Sequence, residues 1–258
     1  MRRSVSLSFI FLMMVSACAS AQVPPWLDAG KSSVDDVLDA LQNSGKNLKS
    51  FAADVQMTTT MEVQDSSSTA FGKIWFQMKA GGDAAIRISL DHKKVAGKEF
   101  PNKIDYLLDD GWMTERTFAI KKETRIQLAP AGQKVNLFQL GKGPFPLPIG
   151  QDKKDVHEQF DVKIIPPAKD DPANTIHLQL TPKPKTPLAE NFSTIEVWVD
   201  CKTRMPARMA TENKIKSEIK STDLLNLQLN PTLKPEDVSL PPLEPGWSTI
   251  DKPIEPAH

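Results

Sequence analysis

The clearest hydrophobic pattern in the chain lies at residues 33–63, where a helical period gives way to a strand period. Apolar residues spaced three or four positions apart predict an amphipathic helix with one apolar face. These residues are Val34, Val37, Leu38 and Leu41. Ser33 precedes the stripe and Asp36 follows three positions later, a spacing that resembles a helix-capping box, and Gly45 offers a stop.

From Phe51 onwards the hydrophobic period changes to two. Apolar and polar side chains alternate up to Val63, which predicts a strand about 43 Å long at about 3.3 Å per residue, well beyond the usual length of about five or six residues. A strand of this length needs a large, curving sheet beside it. Because the preceding helix must bury its apolar face, we expect that helix to lie on the same sheet.

Alternating or continuous apolar segments predict further strands, joined as a meander of hairpins. These segments are residues 72–78, 86–90, 104–108, 112–120, 124–128, 162–165, 176–180, 195–199, 205–209 and 214–230. Residues 64–69 and Asp110-Gly111 are turn signals between strands. Prolines exclude a central strand near residues 130–150, residues 152–160 predict a short helix, and the proline-rich tail from Pro231 predicts an extended wrap.

Composition and charge exclude several function classes. Lys plus Arg and Asp plus Glu both number 32, so the formal net charge is zero and nucleic acid is not an expected partner. The four histidines share no helical spacing and lie near no cysteine pair, so no metal site is predicted. No serine stands in a Gly-x-Ser-x-Gly elbow, and no carboxylate pair fits a cleft pattern. We therefore expect neither an enzyme nor a cofactor.

The N-terminal residues have the pattern of an export signal, with Arg2 and Arg3 before an apolar run and a group of small residues. Two cleavage positions stay open. Removal of residues 1–21 as a signal peptide would leave a soluble protein, whereas residues 15–18 resemble a lipobox, so that residues 1–17 would be removed and Cys18 lipidated. Either way we expect an extracytoplasmic protein whose residues 22–258 form a single domain.

A series of short motifs runs in a characteristic order across the mature chain. These motifs are Leu48-Lys49-Ser50-Phe51, Gly72-Lys73-Ile74-Trp75, Asp109-Asp110-Gly111-Trp112, Leu178-Gln179-Leu180-Thr181-Pro182-Lys183, Val199-Asp200 with Thr203 and Pro206, and Leu240-Pro241-Pro242 before Pro245-Gly246-Trp247. Their order and spacing resemble the outer-membrane lipoprotein carrier family (LolA/LolB-like) of diderm bacteria, which comprises a periplasmic carrier and a membrane-anchored receptor.

The resemblance implies an α+β, mainly β fold: a strongly curved antiparallel sheet that forms a half-open barrel, with helices lying over its mouth. Between sheet and helices the family holds an apolar cavity for the acyl chains of lipoproteins. We assign this cavity to inward-facing apolar residues, namely Val55, Met57, Met61, Trp75, Ile86, Ile88, Leu178 and Val197. The helix that carries Val34, Val37, Leu38 and Leu41 would be its lid, packed weakly enough to open.

The resemblance also implies partners and a function. The cargo would be acylated lipoproteins or lipids, exchanged with an inner-membrane releasing complex or an outer-membrane receptor, and the carrier would be a monomer. Lys79 is the only charge directly after the Trp75 strand, where the family's soluble carrier has an arginine that bonds the lid, and Cys18 would suit an anchored protein. Two alternatives stay open: a non-transporting interaction or envelope-sensing module on the same fold, and a carrier of another lipid such as a glycolipid.

Overall fold

The computed structural model describes residues 26–79, 83–130 and 149–254. The export signal, Cys18 and most of the proline-rich middle segment lie outside the described residues. The strands are β1 (Ser50–Met61), β2 (Ser66–Met78), β3 (Ala84–Val95), β4 (Lys98–Asp109), β5 (Trp112–Thr117), β6 (Lys122–Gln127), β7 (Phe160–Ile165), β8 (Thr175–Pro182), β9 (Phe192–Asp200), β10 (Pro206–Asn213), β11 (Glu218–Leu229) and β12 (Ser248–Lys252). The helices are α1 (Val34–Lys46), α2 (Lys153–Gln159) and α3 (Pro187–Asn191).

All of these strands form a single 12-stranded sheet in the order β12-β6-β5-β4-β3-β2-β1-β11-β10-β9-β8-β7. The sheet is open, with β12 and β7 at its two edges. Ile104 on β4 and Phe192 on β9 line one cleft although they stand six strand positions apart, about 29 Å in a flat sheet. The sheet is therefore strongly curved. The predicted mainly β fold, a half-open barrel with helices, is confirmed.

Helix α1 forms where the sequence predicts it. Ser33 is the N-cap, and its side chain and that of Asp36 each accept a hydrogen bond from the other residue's backbone N–H, which makes a complete capping box. The helix continues through Gly45 to Lys46 and ends at Asn47. Gly45 is needed for another reason, since a Cβ there would lie 2.6 Å from the Cα of Gly150.

The hairpin of β1 and β2 is longer than predicted, because residues 66–69 belong to the strand and not to the turn. The polar side chains of this region pair across the two strands, with the Thr58 and Thr69 hydroxyl oxygens 2.9 Å apart. The turn shrinks to residues 62–65 and closes at Asp65 in the left-handed region, φ 45°. The serine and threonine side chains therefore pair across the two strands here, where the sequence predicted a turn.

Two further elements differ from the sequence expectation. Helix α3 is absent from the prediction because it spans a single turn, started by the Thr186 cap and a proline at its first position. On β11 the buried residue is Leu224, whereas Leu225 and Leu229 are exposed. A register shift opposite Ala52 and Asp54 changes which residues of β11 face inward, and periodicity alone does not locate such a bulge.

The C-terminal tail crosses the convex face of the sheet, which agrees with the predicted wrap but ends in a strand that the prediction missed. Nη1 of Arg87 donates to the carbonyl oxygen of Glu236 at 2.6 Å, and Nη1 of Arg116 donates to that of Pro241 at 2.6 Å. Both arginines also form ion pairs beneath the tail. Arg87 pairs with buried Asp105, and Arg116 pairs with buried Glu123. The tail then forms β12, which pairs parallel to β6, so the sheet is not wholly antiparallel.

Candidate functional site

The concave face of the sheet divides into two regions. Beneath α1 and α2 its inward-facing side chains are fully packed, and we call this region the closed half. It includes Phe51, Phe76, Ile86, Leu178 and Ile195, each at most 1% exposed. A void of about 10 Å³ lies there, lined in part by Leu38 and Leu41, and it is about the size of one water molecule. The closed half is an ordinary hydrophobic core.

An exposed polar network joins the two helices that cover the closed half. Nζ of Lys153 on α2 lies 2.9 Å from a carboxylate oxygen of Asp39 on α1, and Nε2 of His157 lies 2.9 Å from Asp35. The hydrogen bond from His157 lowers the pKa of Asp35, and the hydrogen bond to Asp39 raises the pKa of Lys153. The backbone N–H of Gly150 also donates to the Leu41 carbonyl. Helix α1 is therefore anchored along its length.

Beyond the helices the same face opens into a cleft of about 580 Å³, which lies within the usual range of ligand sites, about 300–1,000 Å³. It runs along the far ends of the central strands, between β4 on one side and β9 on the other. Its apolar lining residues are Met57, Ala70, Leu90, Ile104, Tyr106, Phe192, Met209 and Ala210. Its polar lining residues are Thr58, Thr59, Ser68, Lys93, Asn102, Thr211, Lys220, Ser221 and Thr222.

The charged side chains that line the cleft are all positive. Lys93 and Lys220 are the charged members of its described lining, and no carboxylate belongs to that lining. Lys220 is ion-paired with Glu218, two residues along β11, at 3.0 Å. Burial, with a smaller contribution from the charge of Glu115, raises the pKa of Tyr106 to about 12, so this phenol stays neutral at physiological pH. The cleft thus offers an apolar floor, neutral hydroxyl groups and two ammonium groups.

The structure places the predicted cavity residues in three different environments. Met57 lines the cleft. Val55, Ile86, Ile88, Leu178 and Val197 are buried in the closed half. Met61 is half-buried at the end of β1 and is not among the lining residues, and Trp75 lies on the convex face, where the guanidinium of Arg87 stacks 5.6 Å from its ring. The predicted set is therefore not brought together in one pocket.

Several lining residues escaped prediction from the sequence. Ile104 and Tyr106 alternate on β4, and Met209 lies in a segment predicted as a strand, so periodicity could have placed them on the inner face. Ala70 and Ser68 gave no signal because their segment reads as a polar turn. Phe192 follows α3, whose existence was not predicted.

The helix expected to be a lid is firmly packed. Val37, Leu38 and Leu41 are between 0% and 4% exposed, and Val34 is half-buried. This burial contradicts the hypothesis of weak packing. Within the described part of the chain, α1 contributes no residue to the cleft lining. The helix therefore closes the core, and the cleft opens beyond it.

Two apolar side chains project into solvent at the end of the sheet where the cleft opens. Val63 in the β1–β2 turn is 85% exposed, and Ile215 in the β10–β11 turn is 80% exposed. The two turns are neighbours, since the N–H of Glu62 donates to the carbonyl oxygen of Ser217 at 2.9 Å. We call this pair the apolar tips.

Known proteins share the architecture at low sequence identity. No protein-family model and no curated protein matches the sequence. Among solved structures, MucB matches with a TM-score of 0.49 and 13% identity over 81% of this chain, which spans 63% of that one. MucB of Pseudomonas aeruginosa has also been solved in a complex with MucA.

Two further matches cover almost the whole of the solved chain. A LolA superfamily protein from Nitrosomonas europaea matches with a TM-score of 0.38 and 12% identity over 81% of this chain and 99% of that one. LprF from Mycobacterium bovis matches with a TM-score of 0.36 and 14% identity over 81% of this chain and 100% of that one. The likeness to a LolA superfamily protein agrees with the resemblance inferred from the sequence, and at these identities and TM-scores it concerns the fold alone.

No helix among the described residues is long and apolar enough to cross a membrane.

Proposed function

We propose that this protein binds acylated cargo, lipoproteins or lipids, outside the cytoplasm and transfers it between surfaces, with acyl chains held in the cleft. The observation that carries the proposal is the cleft itself, about 580 Å³ of space with an apolar floor on the concave face of the sheet. Removing an acyl chain from water gains about 0.8 kcal/mol per CH₂. An apolar cleft of this size can therefore bind a chain without catalytic groups.

The composition of the floor suits a ligand of variable shape. Met57 and Met209 both line it, and methionine side chains adapt to different contours because they are unbranched and flexible. Ala70 leaves room between them and the neighbouring strand. Cargo with one or several acyl chains would meet the same surface, which favours a carrier over a site built for one rigid molecule.

Transfer needs an opening toward the donor or acceptor surface, and the apolar tips stand at that opening. Val63 and Ile215 are too exposed to stabilise the fold, so their apolar character suits contact with a membrane interface. Lysines on both sides of Ile215, at positions 214 and 216, can direct their charges toward lipid head groups. We expect loading and release to occur at this end.

The expected location and partners complete the proposal. An export signal or a lipid on Cys18 would place the protein in the periplasm or on a membrane facing it. A soluble form would exchange cargo between an inner-membrane releasing complex and an outer-membrane receptor, and a form anchored through Cys18 would act as such a receptor.

The direct test is binding of N-phenyl-1-naphthylamine, a neutral probe that fluoresces in apolar surroundings, to the wild type and to Ala70→Trp. The indole would occupy the cleft, so we expect at least a tenfold loss of probe affinity with the unfolding free energy changed by about 1 kcal/mol or less. Ala173→Trp, in an exposed loop, is the matched control and should bind normally. Wild-type protein that binds no probe, or an Ala70→Trp variant that binds as well as wild type, would overturn the proposal.

An interaction module without transport is the second candidate, favoured by the outer edge of β7. Within the described residues no strand pairs with that edge, and an unpaired strand can accept an extended peptide from a partner. Native mass spectrometry of the purified protein separates the two candidates. A dissociable adduct of lipid mass supports a carrier, whereas a ligand-free chain that also ignores the neutral probe supports the module.

A further inference from the structure

We propose that the cleft selects amphiphiles with an anionic head group, which the ammonium groups of Lys93 and Lys220 hold while the acyl chain lies on the apolar floor. This inference rests on the proposed function and names the class of ligand. The sequence did not indicate it, because the net charge of the whole chain is zero.

The register of the sheet places the two lysines on opposite sides of the cleft floor. Met57 on β1 pairs with Ala70 on β2, and Ala70 pairs with Lys93 on β3. On the other side of β1, Thr59 pairs with Lys220 on β11. Lys93 and Lys220 therefore lie on opposite sides of the two central strands, at levels two residues apart, and both contribute to the cleft lining.

The floor becomes more apolar away from the lysines. Leu90 lies three residues before Lys93 on β3, and Ile104 pairs with Leu90 across the next strand. Tyr106 follows on the same face of β4, and Met209 closes the other side. An amphiphile that enters with its acyl chain first would bury its methylene groups along these residues. Its head group would then lie between the two lysines.

The balance of charge at the mouth favours an anion. A lysine ammonium has three donors and no acceptor. Lys93 has no ion pair within the described ranges, although its side chain is half-buried. Glu218 is engaged with Lys220 at 3.0 Å and is not part of the lining. Hydroxyl groups of Ser68 and Thr59 add neutral donors beside the lysines.

The alternative role for these lysines is purely structural, and the geometry does not support it for Lys93. A charged side chain on an apolar concave surface is costly unless a partner or water satisfies it. Carboxylate–lysine contacts elsewhere on the sheet, such as Lys103 with Asp91 at 2.9 Å, show how the fold satisfies its structural lysines. Lys93 faces the cleft without such a partner in the described residues, which leaves its donors for a ligand.

The test compares three amphiphiles of equal chain length as competitors for bound N-phenyl-1-naphthylamine: dodecanoate, 1-dodecanol and dodecyltrimethylammonium, each below its aggregation limit. We expect dodecanoate to bind about fivefold more tightly than dodecanol, since partly exposed ion pairs have modest strength, and the cationic amphiphile to bind least. Lys93→Gln and Lys220→Gln should each reduce the preference, and the double variant should abolish it.

Three controls make each outcome decisive. Lys94→Gln, on the neighbouring position of β3 and outside the cleft lining, should keep the full preference. Acetate and inorganic phosphate should not displace the probe, because they lack the chain. Equal binding of dodecanoate and dodecanol by the wild type, or an unchanged preference in the double variant, would overturn the inference and leave the proposed function standing. Failure to bind any of the three amphiphiles or the probe would overturn the proposed function itself.

Discussion

The closed half and the cleft are built by the same strands, and the difference between them lies in the size of the inward-facing side chains. Along β2 the inward-facing residues are large at the helix-covered end and small at the open end. In that order they are Phe76, Ile74, Gly72, Ala70 and Ser68. A strand that starts as core therefore ends as the wall of a cavity. On β2 the cleft is encoded as a change from large to small side chains and not as a separate motif.

Gly72 marks the boundary between the two regions. A Cβ at this position would lie 1.9 Å from the carbonyl oxygen of Ser89 and 2.8 Å from the Cα of Leu90, so the neighbouring backbone of β3 occupies the space of a side chain. The register of β2 against β3 shifts at this point. The bulge lets β3 bend toward β2, and Lys93 and the cleft lie just beyond it.

The largest expected effect is on stability, and it should distinguish the two regions sharply. Leu38 is 4% exposed under α1, whereas Met57 is half-buried at the edge of the cleft. Leu38→Ala should lower the unfolding free energy by about 2–5 kcal/mol through lost burial and a cavity. Met57→Ala should lower it by about 1 kcal/mol or less, because the cleft is already open.

Urea unfolding followed by circular dichroism measures both changes. The neutral probe should show the opposite ranking, with weaker binding to Met57→Ala and unchanged binding to folded Leu38→Ala. Equal destabilisation by the two substitutions would show that the cleft is packed as tightly as the core, and the distinction between the regions would be lost.

The next effect concerns the apolar tips, which belong to the open region alone. Val63→Asp with Ile215→Asp should slow transfer of a fluorescent lipid from vesicles about tenfold, because two apolar side chains no longer enter the interface. Affinity for a monomeric probe should stay the same, since neither residue lines the cleft. Thr69→Asp is not a suitable control because its hydroxyl contacts Thr58, whereas Ala173→Asp alters a distant exposed loop. A transfer rate unaffected by the tips would exclude loading through this end.

Particular residues show which parts of the fold and of the cleft the sequence predicts. Periodicity placed α1, its capping box and most strands correctly, since burial of one face is a local and repetitive signal. It also placed Met57 on the cleft side of β1. It failed for Leu178 and Val197, which share that face but lie under a helix. Periodicity identifies a face, and only the tertiary structure shows which part of that face another element covers.

Trp75 and Ala70 illustrate the other source of error. The sequence predicts that Trp75, a large aromatic residue in a strand, lines the cavity, yet it lies on the convex side, where the Arg87 guanidinium stacks on its ring. Ala70 gives no signal in the sequence, because small residues contribute little to a hydrophobic pattern. In a cavity the small residues create the volume, so a search for large apolar side chains finds the core first.

The smallest expected effect tests the closed half from its convex side, where His177 lies buried. Its ring stacks on Trp198 with centroids 4.0 Å apart, and it lies 3.9 Å from Asp171 and 3.7 Å from Glu196. Burial lowers the pKa of His177, and the charges of Glu196 and Asp171 oppose that shift without cancelling it. The unfolded chain therefore takes up a proton at this histidine more readily than the folded protein.

This difference makes the closed half sensitive to acid. Stability linked to His177 is fully present above its unfolded pKa, near 6.5, and declines as the pH falls through that value. We expect His177→Gln to unfold with a flatter dependence on pH between about 7.5 and 5.5, measured by urea titration at each pH. Ala173→Gln, in the exposed loop before β8, is the control and should keep the wild-type slope. A wild-type slope in His177→Gln would mean that the pKa of this histidine does not change on folding, so that the neighbouring carboxylates fully cancel the effect of burial.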